Sequence, residues 1–204
     1  MNEFWNARYA RDNYVYGTEP NAYFRSEIDK INPTGKVLLP AEGEGRNAVY
    51  AAKSGWEVTA FDFSIEGRKK AMALASQNDV EIEYLIKDYS DVVFGEESFD
   101  LLALIFVHPL AAQKSVIFNP LISFLKKGGH VIMEVFSKEH LKFQETNPSA
   151  GGPKDPERFY TQSEIKELFK GFGIINMEQT VVQLDEGEFH KGDSSVIRFT
   201  GVKS

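Results

Sequence analysis

Short apolar runs alternate with segments of helical period along most of this chain, the order of a parallel sheet whose strands are joined by crossover helices. Lys36 to Ala41 (KVLLPA) predicts a buried strand, and Arg46 to Ser54 a helix closed by Gly55. Val58 to Phe63 predicts a second strand, after which Ser64 caps a helix carrying Ala71, Leu74 and Ala75 as far as Asn78. Ile82 to Ile86 is a short third strand, and Leu101 to Val107 is the continuous apolar run of a doubly covered central one. Val116 to Leu125 predicts a helix interrupted at Asn119 and Pro120, either kinked there or beginning at the proline, and ended by LKKGG, with His130 to Phe136 as the fifth strand. Thr161 to Phe169 predicts a helix capped by Thr161 or Ser163, and Ile174 to Val182 and Val196 to Val202 two last strands. Upstream, Asn21 to Ile31 has a helical pattern; the connection from Ser137 to Tyr160, with its GGPKDP, is too long for a passive link.

Length and composition agree with an α/β domain. The 204 residues suit one domain with some elaboration, and 42% hydrophobic with 26% charged residues is an ordinary globular balance. A net charge of −7 argues against nucleic acid or an anionic membrane as partner. The absence of cysteine closes disulfide, Cys-zinc, iron–sulfur and thiol-nucleophile chemistry. The opening MNEFWNARYARDN lacks the layout of a signal peptide, and the longest apolar run stops at His108 and Pro109, short of the ~20 residues that cross a bilayer. A cytoplasmic protein, monomeric or weakly dimeric, is expected.

The chemistry concentrates in VLLPAEGEGRNA, Val37 to Ala48, where a strand passes through a glycine turn into a helix. Nucleotide-containing cofactors bind at such turns: Gly43 and Gly45 admit a ligand to the backbone, and the helix start offers free N–H groups. Asp62, 17 residues after Gly45, ends the next strand, where a carboxylate accepts ribose hydroxyls. Two cofactor readings compete. GEGRNA matches the GxGxxG/A dinucleotide pattern and predicts an NAD-dependent oxidoreductase. Glu42 and Glu44, however, flank Gly43 and would repel a pyrophosphate, whereas the sulfonium and ammonium of S-adenosylmethionine would be attracted. A helix entry with solvated glutamates is the third, inert possibility.

These residues resemble the class I S-adenosylmethionine-dependent methyltransferases. Gly43 and Gly45 stand where the later two glycines of that family's first motif lie, Ala41 where the first is usual, and Leu39 where an acid is often found. FDFS places Asp62 as the ribose-binding acid, IKDYSD places Asp88 at the adenine amino group, FDLLALIFVHPL is similar to the fourth-strand motif, and LKKGGHVIMEVF to the LKPGG turn and fifth strand. The resemblance implies a three-layer, Rossmann-like α/β sandwich around a seven-stranded sheet of order 3-2-1-4-5-7-6, strand 7 antiparallel, with residues 1–35 as a helical cap and 36–204 as the core of one domain. It implies S-adenosylmethionine as cofactor, contacted by Ala41, Glu42, Gly43, Gly45, Arg46, Asp62, Phe63, Ser64, Asp88, Tyr89 and Phe106, with Phe63 and Tyr89 flanking adenine. WNARY, YVYGTEPN, GGPKDP and LDEGEFHKG together are similar to the small bacterial tellurite-resistance and thiopurine-methyltransferase-like branch, which implies a small, polarisable acceptor such as a thiol or a chalcogen oxyanion. The departures at Leu39 and Ala41 leave open a protein that binds the cofactor without turnover.

Methyl transfer from a sulfonium is a direct displacement needing neither metal nor covalent intermediate; a soft anion needs no base, whereas an amine or hydroxyl does. His108, after the fourth strand at the ligand-binding edge, is the first candidate base, against a strand-ending role for the His-Pro pair. His190 is the second, with Lys191 beside it and Arg198 as a possible anion contact, against an ordinary turn between two strands. Trp5, Tyr9, Tyr14 and Tyr16 either close over the cofactor or pack, Trp5 and Tyr9 being an i, i+4 pair. Arg46 either holds a carboxylate of a ligand or pairs with Glu42 or Glu44, while Lys138, His140 and Lys142 read as a solvated basic rim. HPL in place of an Asn/Asp-Pro-Pro-aromatic motif speaks against methylation of nucleic-acid bases.

Overall fold

The computed structural model describes residues 2–204. Its elements follow the predicted alternation: α1 (Asn2–Tyr9), α2 (Ala22–Ile28), β1 (Lys36–Pro40), α3 (Arg46–Lys53), β2 (Glu57–Asp62), α4 (Ile65–Gln77), β3 (Glu83–Ile86), β4 (Phe99–Ile105), α5 (Lys114–Ser123), β5 (Leu125–Phe136), α6 (Leu141–Thr146), α7 (Gln162–Leu168), β6 (Phe172–Asp185) and β7 (Lys191–Lys203). The strands form one seven-stranded sheet of order β3-β2-β1-β4-β5-β7-β6. β7 runs antiparallel to both its neighbours, and the pairs from β3 to β5 are parallel.

The continuous apolar runs become strands because helices cover both faces. Val37 and Leu39 of β1, with Leu101 and Ala103 of β4, pack under Phe24 and Ile28 of α2, Ala48 and Val49 of α3, and Leu74 of α4. Leu38, Leu102 and Leu104 point the other way, onto Phe118 and Leu121 of α5 and Ile165 of α7. Leu39, the departure noted within β1, is one of these core residues. The predicted caps form: Ser64 Oγ accepts the Gly67 amide at 3.1 Å, and Thr161 with Glu164 makes a reciprocal capping box. Each such cap contributes about 0.5–2 kcal/mol.

LKKGG departs from expectation. It does not merely stop a helix but belongs to β5: Phe99 pairs with Leu125 and Leu101 with His130, so that residues 126–129 bulge out of the ladder between the two pairs. Lys126 on the bulge reaches back to Asp100 at 2.7 Å. Pro120 lies within α5, so the helix does not begin there. The last two strands extend beyond the predicted ranges into a long hairpin, and the 137–160 connection carries α6 and three short 3-10 turns; its ends meet in a Ser137–Tyr160 bridge.

Candidate active site

β1 brings the chain to the carboxyl edge of the sheet, where the turn is shaped for close approach. Ala41 (φ 52), Gly43 (φ 62) and Gly45 (φ 89) all take left-handed backbone, so Ala41 adopts the conformation for which glycine is usual. A Cβ on Gly45 would stand 2.5 Å from that of Ala71 in α4, and one on Gly43 2.6 Å from the Tyr9 hydroxyl. Gly45 therefore lets α3 close on α4, and Gly43 lets α1 close on the turn. Trp5 stacks on Tyr9 at 5.3 Å, so this pair both packs and covers the turn.

Both glutamates of the turn have protein partners. Glu42 Oε1 accepts the amides of Asn47 and Ala48 at 2.7 and 2.8 Å, in the first turn of α3. Burial pushes its pKa up to about 7 against the pull of those amides. Glu44 is buried and turned away, accepting the Val15 amide and an ion pair from Lys70, both at 2.8 Å. The expectation that two carboxylates face a ligand is thereby corrected: Glu44 anchors the N-terminal strap, residues 10–21. Glu42 instead occupies the α3 N-terminus, the seat a dinucleotide's pyrophosphate would need. The geometry thus removes the anion site on which the NAD reading depends.

Asp62, at the end of β2, is buried and accepts the Gly43 amide at 3.2 Å and the Ser64 amide at 2.8 Å, with no ion pair to a cation among the described residues. Burial raises its pKa to about 6, with Asp88 adding to the rise. Ser64 Oγ donates to Asn6 Oδ1 of α1 at 2.7 Å. Asp88 is exposed beyond β3 and accepts the Tyr89 amide at 2.7 Å; the Tyr89 ring stands edge-on to Phe61 at 5.8 Å. Because Asp62 pairs with Ile86 in register, Asp62, Phe63, Ser64, Asp88 and Tyr89 gather at one end of β2 and β3, beside Gly43.

Phe106, also left-handed at φ 53, follows β4 and opens a second, aromatic part of the same edge. Its ring stacks on Phe136 at 4.6 Å and meets the His190 ring at 4.4 Å, while Tyr16 lies 4.6 Å from His190 on another side. His108 is nearby but has no free nitrogen. Nδ1 bonds the Arg158 carbonyl at 3.0 Å and Nε2 accepts the Phe136 amide at 3.3 Å, which defines the neutral Nδ1–H tautomer. Burial lowers its pKa to about 3. His140 is fully buried, tied to the Gly151 carbonyl and the Ser195 amide, so the solvated rim reduces to Lys138 and Lys142.

Arg46 pairs with neither turn glutamate. It is buried, donating to Glu186 at 2.8 Å and to the Tyr16 carbonyl at 3.3 Å. Glu186, from the β6–β7 hairpin, also receives His190 Nδ1 at 3.2 Å and Asn21 Nδ2 at 2.9 Å. Although burial opposes it, Arg46 and His190 pull its pKa down to about 2. Arg198 is not an anion contact at the aromatic edge: it bonds Glu134 at 2.6 Å and lies over the Tyr23 ring of α2. Glu186 and Asn21 escaped the sequence reading; the clue was Glu186 standing across a tight hairpin from His190, where flanking residues meet.

The seven-stranded sheet has the fold of the class I methyltransferases, and the carboxyl edge of β1, β2 and β4 is its candidate ligand edge. Residues 37–129 match a family model described as a methyltransferase domain. The ubiquinone/menaquinone biosynthesis C-methyltransferase UbiE of Geotalea daltonii is 24% identical over 191 residues, covering 80% of each chain. Among solved structures, one reported for conversion of a disulfide bond into a thioacetal group during echinomycin biosynthesis superposes with a TM-score of 0.79 at 16% identity, covering 100% of this chain and 92% of that one. Magnesium protoporphyrin IX methyltransferase from Synechocystis PCC 6803 with bound SAH gives 0.72 at 16% identity, covering 100% and 97%. Among the described residues no helix is long and apolar enough to cross a membrane.

Proposed function

We propose that this protein transfers a methyl group from S-adenosylmethionine to a small-molecule acceptor by direct in-line displacement. The observation that carries the reading is Asp62: a buried carboxylate at the end of β2, without a cation partner among the described residues, holding the glycine turn through the Gly43 amide and keeping lone pairs for ribose hydroxyls. Asp88, Phe63 and Tyr89 would hold the adenine end, and the turn from Ala41 to Gly45 with Arg46 behind it the amino-acid end. When bound, the cofactor supplies an electrophilic methyl carbon and a neutral thioether leaving group.

The chain's contribution is position and the exclusion of water. Tyr9 and Trp5 cover the turn, and Phe106, Phe136, Tyr16 and His190 bound the acceptor side. Holding nucleophile, carbon and sulfur in line is worth up to ~7–11 kcal/mol. Within the class, the opening aromatic motif, the GGPKDP connection and the LDEGEFHKG hairpin favour the branch that takes soft acceptors. His190 is the base where a proton must leave; His108 shapes the acceptor wall.

Calorimetry with S-adenosylhomocysteine tests the cofactor. Micromolar binding is expected, about tenfold or more weaker in Asp62→Ala, with no change in NADH fluorescence on adding the protein. Neither heat nor thermal shift with S-adenosylhomocysteine overturns the proposal. Labelled S-adenosylmethionine offered with thiols, amines, selenite and tellurite separates an enzyme from a protein that only binds the cofactor.

A further inference from the structure

We infer that Glu186 and His190 form a proton-accepting dyad, with Glu186 as its positioning residue, and that the acceptor is an uncharged, weakly acidic molecule, a thiol or phenol, rather than an oxyanion. The inference rests on the methyl-transfer reading and adds the substrate's charge and the fate of its proton.

His190 is held on every side except one. Nδ1 faces Glu186 at 3.2 Å, the ring is packed by Phe106 at 4.4 Å, Tyr16 at 4.6 Å and Phe136 at 5.3 Å, and its Cδ2 lies against Gly151. A Cβ on Gly151 would fall 2.5 Å from that carbon. Nε2 has no hydrogen-bond partner among the described residues, in contrast to His108 and His140, whose two nitrogens are both bonded to backbone. With Glu186 ionised, Nδ1 carries the proton and Nε2 keeps a lone pair toward the aromatic edge. Glu186 is fixed in turn by Arg46 of α3 and Asn21 at the start of α2, so cofactor turn, strap and hairpin all converge on it.

The step balances without a further reactant. The acceptor's S–H or O–H bond breaks and its proton passes to Nε2; the electron pair left behind forms the new bond to the methyl carbon. The carbon–sulfur bond of the cofactor breaks with its pair going to sulfur. The imidazolium so formed faces the Glu186 carboxylate and returns its proton to water.

An oxyanion would find poor company here. Arg46 is paired with Glu186, Arg8 donates to the Tyr16 hydroxyl at 2.8 Å, and Arg158 donates to the His108 carbonyl at 2.9 Å. The charged and titratable groups that face His190 are Glu186 on its own hairpin, Arg46 from α3, Arg8 from α1, Tyr16 from the strap, His108 after β4 and His140 from the long connection. The two other histidines are neutral, so the Glu186 carboxylate is the partner that an imidazolium at 190 gains.

The test combines spectroscopy with an acceptor series. In 15N-histidine spectra, assigned with His190→Gln, residue 190 should show the Nδ1–H tautomer, and its ring pKa should fall in Glu186→Gln. With labelled S-adenosylmethionine, His190→Gln should slow methylation of alkyl thiols and phenols about 10²-fold while leaving thiophenol, already ionised at pH 8, little changed. Glu186→Gln should move the acid limb of the rate profile to lower pH, and Glu186→Asp should recover part of the rate. S-adenosylhomocysteine binding by His190→Gln, unchanged within about threefold, shows that the cofactor site stands; its absence in the parent protein would instead strike the methyl-transfer reading itself. An Nε2–H tautomer, equal slowing of thiophenol and alkyl thiols, or faster turnover of selenite or tellurite than of any thiol overturns the dyad. Should no acceptor turn over, the tautomer decides.

Discussion

His108 and His190 lie within one aromatic cluster and are held in opposite ways. The backbone claims both nitrogens of His108, and burial keeps it neutral with a pKa of about 3. Its folded pKa is below the unfolded value, so its contribution to stability is fully present above about pH 6.5 and is lost as pH falls toward 3. The stability gap between the parent and His108→Asn, measured by urea unfolding, should therefore narrow by about 1–2 kcal/mol between pH 7 and pH 5. Asp62 has the opposite sign: its pKa is raised to about 6, so below that pH the carboxylate is protonated and, in the ribose-binding role proposed for it, would no longer accept from the hydroxyls. Affinity for S-adenosylhomocysteine should drop about tenfold from pH 7.5 to pH 5, and Asp62→Asn should flatten that dependence in calorimetry. The meeting of Asp62 with the glycine turn was legible because strand, turn and next strand are local in sequence. Glu44 was misread because its partners, Val15 and Lys70, lie 29 and 26 residues away and sequence spacing carries no direction.

At the scale of elements, the N-terminal strap and the β6–β7 hairpin hold each other. Glu44 accepts the Val15 amide, the Glu188 amide donates to the Val15 carbonyl at 2.9 Å, and Arg11 pairs with Glu188 at 2.7 Å. Glu44→Ala leaves the buried Val15 amide without its acceptor, a cost of about 1–3 kcal/mol. Hydrogen exchange at Val15 and Tyr16 should rise sharply in this variant, with β1 and β4 unchanged. Gly151 plays the matching part on the long connection, at φ 79 with no room for a side chain against Phe189 and His190. Gly151→Ala should lower stability by roughly 1–3 kcal/mol in urea unfolding. Strands β1 and β4 could be read from their residues because they are covered on both faces. The LKKGG bulge could not, since a helix stop and an outward loop in a strand use the same glycines.

For the molecule as a whole, the ligand edge joins α1, the glycine turn, the strap and the β6–β7 hairpin, so occupancy should stabilise the entire fold. S-adenosylhomocysteine at about 100 times its dissociation constant contributes ~2.7 kcal/mol, which for a chain of this size is a rise of about 5–10 °C in Tm, and NADH should give none. The sheet order was legible at this scale through the resemblance of ordered motifs. The network around Glu186 was not, because Asn21, Arg46 and Glu186 are 25 to 165 residues apart and meet only in the finished fold.

The contact between strap and hairpin also bears on the order of folding. Residues 8–16 rest on Phe189, Glu188 and His190, and Arg11 meets Glu188 across 177 residues of sequence. Neighbouring strand–helix units can assemble locally, but the cover over the glycine turn closes only against this distant hairpin. The loop-closure entropy of that contact falls on the cover and not on the sheet, so the enclosed edge is a late product of folding on strands already paired.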